Sequence, residues 1–223
     1  MISNHQLRQD VLDELEFEPS INANNIGVGV HEGIVTLTGF VSSYAEKVAA
    51  ERAARRVRGV KAIAQEIEVR LASDKKTADD EIAKRAVNIL NWRFGVPANR
   101  IDIKVEKGTV ILSGDVDWQF QKQDAEDAVR HLTGVVHVSN RIRLRPSGQL
   151  ADIKGKIQSA LCRAEIDASH ISVEIKGNKV VLSGTVNARY ERYLAEQAAW
   201  SAAGVTEVED HIQVASWIPR PDF

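Results

Sequence analysis

The chain has 223 residues, of which 43% are hydrophobic and 27% charged, and its formal net charge is −2. This composition is typical of a soluble globular protein and excludes a disordered, collagen-like or low-complexity chain. Because the net charge is close to zero, nucleic acid or an anionic membrane could attract the chain only through a local patch.

Cysteine content and hydropathy bear on the cellular compartment of the protein. Cys162 is the single cysteine, so neither an intramolecular disulfide nor a cysteine-based zinc site can form. No stretch approaches the roughly 20 apolar residues that span a membrane, and the first ten residues lack the pattern of a signal peptide. The sequence as written therefore predicts a cytoplasmic protein, and a periplasmic one if a leader has been removed.

A sequence repeat defines the organisation of the chain. Residues 26–70 align without a gap with residues 101–145, and these align with residues 171–215. Three tripeptides share one place in this alignment: Leu37-Thr38-Gly39, Leu112-Ser113-Gly114 and Leu182-Ser183-Gly184. A Gly-Val pair also recurs, at positions 59, 134 and 204. We therefore expect three copies of one unit, over residues 1–73, 74–146 and 147–223.

Five patterns follow one another in the first unit and recur in the other two. The first is an apolar helical stripe (Leu7, Val11, Leu12, Leu15), followed by an alternating strand (Ile26, Val28, Val30). A turn (His31-Glu32-Gly33) then leads into a second strand (Val35, Leu37, Val41). A helix over about Tyr44–Arg58, ended by a left-handed Gly59, and a last strand (Ile67, Val69) complete the unit. Alanines recurring three residues apart let the second helix approach the sheet. The patterns predict an α+β fold of three tandem α-β-β-α-β units, each a three-stranded sheet covered on one face by two helices.

This order of elements, the Leu-Ser/Thr-Gly-x-Val strand end and the Gly-Val after an alanine-rich helix resemble the BON domain family, in particular its osmotically inducible and transport-associated bacterial members. The resemblance covers nearly the whole chain. It implies a non-enzymatic module of osmotic or other stress responses, with phospholipid, envelope, chaperone-like or small-ligand binding roles. Many members of the family carry an export signal or lipid anchor, and the sequence as written shows neither.

The residues themselves predict no catalytic residue, no metal site and no cofactor. The six histidines fall at non-equivalent places of the repeat and lack the spacing of a helical metal site. Cys162 lies beside an apolar helical stripe, where a buried, inert thiol is expected. The recurrent Leu-Ser/Thr-Gly tripeptides are interpreted as features of the fold and not as serine nucleophiles.

Two groups of residues are candidates for binding lipid or another anion. On the second helix of the first unit, Arg52 shares a face with Arg55 and with Arg56 by helical spacing. A solvated face is the favoured interpretation, and an anionic partner the alternative. Lys84, Arg85, Trp92, Arg93 and Phe94 lie on the first helix of the middle unit and at its end, where tryptophan with arginine suits a membrane interface. The favoured alternative is that Trp92 and Phe94 complete the core, because Phe17 matches Trp92 in the first unit.

The aromatic residues at the start of the second helices are also expected to be buried. Phe120 in the middle unit matches Tyr190 in the third, and this match favours packing.

Two functional hypotheses follow. The first is a non-enzymatic stress-response protein whose BON units bind an anionic phospholipid surface or an apolar ligand. The second is a soluble protein-interaction scaffold or chaperone-like holdase that presents its faces to a protein partner. We do not expect a nucleic-acid partner, because the charge is near neutral and no strand face bears exposed aromatic residues.

Overall fold

The computed structural model describes residues 3–71, 77–146, 153–163 and 170–215. Each of the three repeats has the order α-β-β-α-β. The first comprises α1 (Asn4–Phe17), β1 (Ile26–His31), β2 (Ile34–Val41), α2 (Tyr44–Arg56) and β3 (Ala62–Val69). The middle one comprises α3 (Asp79–Trp92), β4 (Ile101–Glu106), β5 (Thr109–Val116), α4 (Gln119–Val129) and β6 (His137–Leu144). The third comprises α5 (Ile153–Arg163), β7 (Ile171–Lys176), β8 (Lys179–Val186), α6 (Arg189–Trp200) and β9 (Glu207–Val214).

Each repeat contains one three-stranded sheet with the second strand in the centre. In the first repeat β1 and β2 form an antiparallel hairpin whose register runs from Ile26 opposite Gly39 to His31 opposite Ile34. The central β2 pairs in parallel with β3, because α2 returns the chain to the starting end of the sheet. The third repeat has the same pairings. The predicted α+β fold of three repeated units is confirmed.

The core of each repeat lies between the sheet and its two helices. In the first repeat the buried side chains come from both helices and from one face of the strands: Leu7, Val11, Leu15, Val35, Leu37, Ala50, Ala53, Ala54 and Ile67. Alanines on α2 have no side chain beyond Cβ, so the helix backbone can lie close to the strands. The third repeat is built likewise, with Leu182 and Ile212 of the sheet packed against Ala195 and Ala199 of α6.

The recurrent Leu-Ser/Thr-Gly tripeptides have a structural explanation. Gly39, Gly114 and Gly184 all have positive φ, between +106° and +131°. A Cβ atom at each would overlap a backbone carbonyl oxygen just before the first strand of the repeat, that of Asn25 in the case of Gly39. Only glycine fits where the backbone is both left-handed and in close contact.

The predicted end of the second helix is two residues too late. α2 ends at Arg56, and Gly59, although left-handed with φ +100°, lies three residues further on, in the turn that leads into β3. The N–H of Val57 donates to the carbonyl of Ala54, which closes the helix before the glycine. The glycine therefore shapes the turn and does not cap the helix.

The contacts divide the described chain into two compact units. One comprises the residues up to Phe94 with Ile103–Leu112 and Ala125–Asn140; the other comprises Gly95–Asp102, Ser113–Asp124 and the residues from Arg141 onward. The middle repeat contributes to both units. The domain limits expected at 73/74 and 146/147 fall at or beside stretches outside the described residues.

Candidate functional site

The end of α3 carries two aromatic side chains that lie outside the core. Trp92 is 88% exposed and Phe94 is fully exposed, and the Arg93 side chain between them contacts no partner group among the described residues. The helix stops here because Arg93 has an extended backbone, and its N–H donates to the carbonyl oxygens of Ile89 and Leu90. Two exposed aromatic rings and a guanidinium thus share one helix end.

The favoured expectation that Trp92 and Phe94 complete the core is wrong. Phe17, which matches Trp92 in the first repeat, is itself 83% exposed. Leu90 is buried, and a residue two positions later on an α-helix points about 200° away from it. The period of the helix, counted from the buried Leu90, is therefore the sequence signal that predicts the exposure of Trp92.

Lys84 and Arg85 lie on the exposed side of α3 and are both paired. Lys84 Nζ is 3.4 Å from an oxygen of Asp80, and Arg85 Nε is 3.1 Å from an oxygen of Glu81, each one helical turn earlier. Arg85 and Trp92 are seven residues apart and so share a face of the helix. Exposed pairs of this kind contribute only about 0.3–0.5 kcal/mol, so an anionic surface can compete for both cations.

The three arginines of α2 do not form one free basic patch. Arg55 pairs with Glu51 at 2.6 Å, and Arg56 reaches Glu14 at 2.8 Å and Glu18 at 3.0 Å on α1. The hydrogen bond from Arg56 lowers the pKa of Glu18, and the two carboxylates raise the pKa of Arg56. Arg52 is exposed and contacts no partner group among the described residues.

Other side chains that were expected to be buried are exposed. Phe120 and Tyr190 at the start of α4 and α6 are both more than half exposed, so the expectation that they pack is wrong. Phe120 rests against Gly95, where a Cβ would lie 3.5 Å from its ring. Cys162 is exposed as well, because it occupies the place of Phe17 and Trp92 at the end of the first helix of its repeat. A buried thiol was the wrong prediction.

Neither a cluster of metal ligands nor a membrane-spanning helix is found among the described residues. Within the four described ranges no three His, Cys, Asp or Glu side chains lie together as metal ligands would. No helix in the described part of the chain is both long and apolar enough to cross a bilayer. The end of α3 places exposed apolar area next to the Arg93 guanidinium, which contacts no partner group in the part of the chain that the structure describes.

Comparison with known proteins gives one curated relative over much of the chain. Over 135 residues the chain is 30% identical to Osmotically-inducible protein Y of Escherichia coli (strain K12), a match that takes in 56% of this chain and 65% of that protein. The chain therefore spans slightly less than two thirds of the length of this relative.

Solved structures give only distant likenesses. The C-terminal domain of CdsD, a structural protein of the Type III secretion system of Chlamydia trachomatis, is 14% identical with a TM-score of 0.27, over 96% of this chain and all of that chain. The PrgH periplasmic domain is 11% identical with a TM-score of 0.23, over 92% of this chain and all of that chain. Neither TM-score carries an argument about fold or function.

The family comparison is more specific. The model of the BON domain matches three times, at residues 3–70, 78–146 and 149–216. The three matches follow the three repeats described above and together take in most of the chain, which thus belongs to the BON domain family.

Proposed function

We propose that this chain is a non-enzymatic binding protein of the osmotic or envelope stress response, and that it holds an anionic phospholipid surface through the end of α3. The observation that carries the proposal is the exposure of Trp92 and Phe94 on either side of an Arg93 without a partner among the described residues. The name of the E. coli relative, which describes that protein as osmotically inducible, supports the link to stress.

The physical reason lies in the pairing of ring and charge. A tryptophan ring at a bilayer interface sits at headgroup depth, where its body is apolar and its N–H remains hydrated. A basic residue near an anionic leaflet contributes about 1 kcal/mol, so Arg93 alone is weak. Lys84 and Arg85 add to it when their exposed ion pairs open. The binding should therefore need both the rings and the charge, and it should weaken with salt.

Co-flotation with liposomes tests this proposal. The full chain is mixed with neutral or anionic vesicles at low and at high salt. We expect retention on anionic vesicles at low salt and its loss at high salt. The double variant Trp92→Ala/Phe94→Ala should lower the partition coefficient by about tenfold, because two rings no longer leave water.

Phe17→Ala provides the matched control. Phe17 occupies the same place in the first repeat and is similarly exposed, but it is followed by Glu18, which Arg56 engages. We expect this variant to float as the unaltered chain does. The assignment to α3 would be contradicted if both variants lost vesicle binding equally. It would also be contradicted if neutral and anionic vesicles retained the chain equally.

A second candidate function rests on α6 of the third repeat. Tyr190 and Tyr193 are 62% and 60% exposed, and three residues apart they share one face of the helix. Exposed aromatic faces also suit a holdase that binds unfolding clients. In that case the chain should suppress aggregation of a heated client at equimolar ratio without binding vesicles, and Tyr190→Ala/Tyr193→Ala should remove the protection. Light scattering measures this, and no protection by the unaltered chain would exclude the holdase.

A further inference from the structure

A cleft apart from the α3 end lies between α2 of the first repeat and the end of α4 in the middle repeat. Its volume is about 400 Å³, within the usual range for small-ligand pockets. The two walls are held together where the ring of Tyr44 meets that of His137, with centroids 5.5 Å apart at 89°. Tyr44 is buried in this junction, and the burial raises the pKa of its hydroxyl.

The lining of the cleft is rich in basic side chains. Arg52 and Arg56 come from α2, and Arg130 and His131 from the end of α4. Nine tenths of the Arg130 side chain is buried, and one of its nitrogens lies 2.5 Å from Asp127. A guanidinium has five N–H donors, so one carboxylate cannot satisfy all of them.

The acidic groups of the lining are already engaged. Glu46 accepts hydrogen bonds from the N–H of Asn22 at 2.8 Å and from the N–H and hydroxyl of Ser42 at 2.9 and 3.0 Å. Glu18 accepts from Arg56 and from the hydroxyl of Ser20. Arg52 is not among the donors to either carboxylate, and it contacts no partner group among the described residues. Both carboxylates of the lining thus already accept hydrogen bonds from other groups, whereas Arg52 makes none with the described residues.

We propose that this cleft binds a phosphate-bearing ligand, with Arg52 and Arg130 as its principal donors. Arginine presents its donors in a planar fork that matches phosphate oxygens bidentately. The lining also includes Ala45, Val48 and Ala49, which suit the carbon body of a phosphate ester better than a bare ion. The ester could be a free metabolite or the headgroup of a phospholipid. The proposal does not depend on the α3 surface.

Isothermal titration calorimetry of the full chain with glycerol 3-phosphate, at fixed ionic strength and with glycerol as the uncharged control, tests the soluble source. We expect saturable binding that Arg52→Ala weakens by about tenfold or more. Arg58→Ala is the matched control, because Arg58 is exposed two residues beyond α2 and does not line the cleft. Since both arginines are exposed, neither substitution should disturb folding. Arg130→Lys keeps the charge but removes the fork, and it should also weaken binding.

Anionic vesicles test the headgroup source, in a chain that already carries Trp92→Ala and Phe94→Ala. Residual retention that disappears on adding Arg52→Ala, but not Arg58→Ala, would assign the cleft to a phospholipid headgroup. Saturable binding of glycerol 3-phosphate without such retention would assign it to a free ester. Absence of both, or equal effects of the Arg52 and Arg58 substitutions, would overturn the proposal.

Discussion

At the scale of single residues, the glycines show which features of the repeat are constrained by the backbone. Gly184 and Gly177 lie in the same β7–β8 hairpin and both have positive φ, of +131° and +60°. They differ in surroundings: a Cβ at Gly184 would overlap the carbonyl oxygen of His170, whereas a Cβ at Gly177 would meet nothing within 4 Å. Glycine is therefore required at position 184 by both the close backbone contact and the positive φ, and at position 177 by the positive φ alone.

This difference predicts that replacement by alanine lowers the free energy of unfolding by different amounts at Gly177 and Gly184. Gly177→Ala places alanine in the left-handed region and should cost about 1 kcal/mol of unfolding free energy. Gly184→Ala adds a steric clash with the backbone and should cost about 3 kcal/mol or more. Urea unfolding of the full chain followed by circular dichroism measures both. Similar midpoints for the two variants would show that β8 can move away from the preceding backbone.

At the scale of elements, the three repeats begin their second helix in the same way. Glu46, Gln121 and Glu191 occupy matching positions in the first turn. Each accepts a hydrogen bond from the backbone N–H at the corner between strand and helix, that of Ser42, Asp117 and Asn187, at 2.9, 3.0 and 2.8 Å. This bond satisfies a backbone donor at the corner and fixes where the helix starts. Shared elements of this kind account for the fold and do not distinguish one repeat from another.

The ends of the first helices do distinguish them. The matching exposed positions hold Phe17, Trp92 and Cys162, and the residue that follows is Glu18, Arg93 and Arg163. Only the middle repeat joins an aromatic ring to a basic residue at this place. This is why α3, and not α1 or α5, is assigned to the anionic surface.

The free edges of the first sheet are engaged by basic side chains from the helices. Arg8 on α1 donates to the carbonyl of Val28 in β1 at 2.9 Å, and Lys47 on α2 donates to that of Ile67 in β3 at 2.6 Å. Side chains over an edge strand oppose the addition of a further strand. Binding to the first repeat through a helix surface, as the cleft proposal requires of α2, is therefore more consistent with these contacts than strand pairing.

At the scale of the whole molecule, the sequence predicts the repeated units well and the surfaces less well. The alternation of Val35, Leu37 and Val41 predicts a half-buried strand because burial of one face follows directly from period two. The surroundings of Arg56 depend on α1 residues about 40 positions away, and no local pattern contains such a contact. The cleft residue Arg130 could not be found for the same reason, since its wall forms only where two repeats meet.

The contact of Tyr44 with His137 is the feature of this junction that can be tested most directly. Tyr44 is buried but is not part of the core cluster of the first repeat, so its ring serves the junction with the middle repeat. Tyr44→Ala should therefore separate the unfolding of the first repeat from that of the middle repeat, and it should cost about 3 kcal/mol, as loss of a buried aromatic ring does. Native-state hydrogen exchange measures this, because amides of α2 would then exchange through an opening that leaves β5 protected.

The exposed Tyr193 provides the control for that measurement. Tyr193→Ala removes a ring of the same size from a helix surface, and surface substitutions usually change stability by less than about 0.5 kcal/mol. Tyr44→Phe keeps the ring and should retain most of the coupling between the repeats. If the α2 amides exchange their hydrogens at the same rates in the Tyr44→Ala and Tyr193→Ala variants, the ring contact does not join the two repeats. The walls of the anion cleft would then have to be held by other contacts, because Arg52 and Arg130 belong to different repeats.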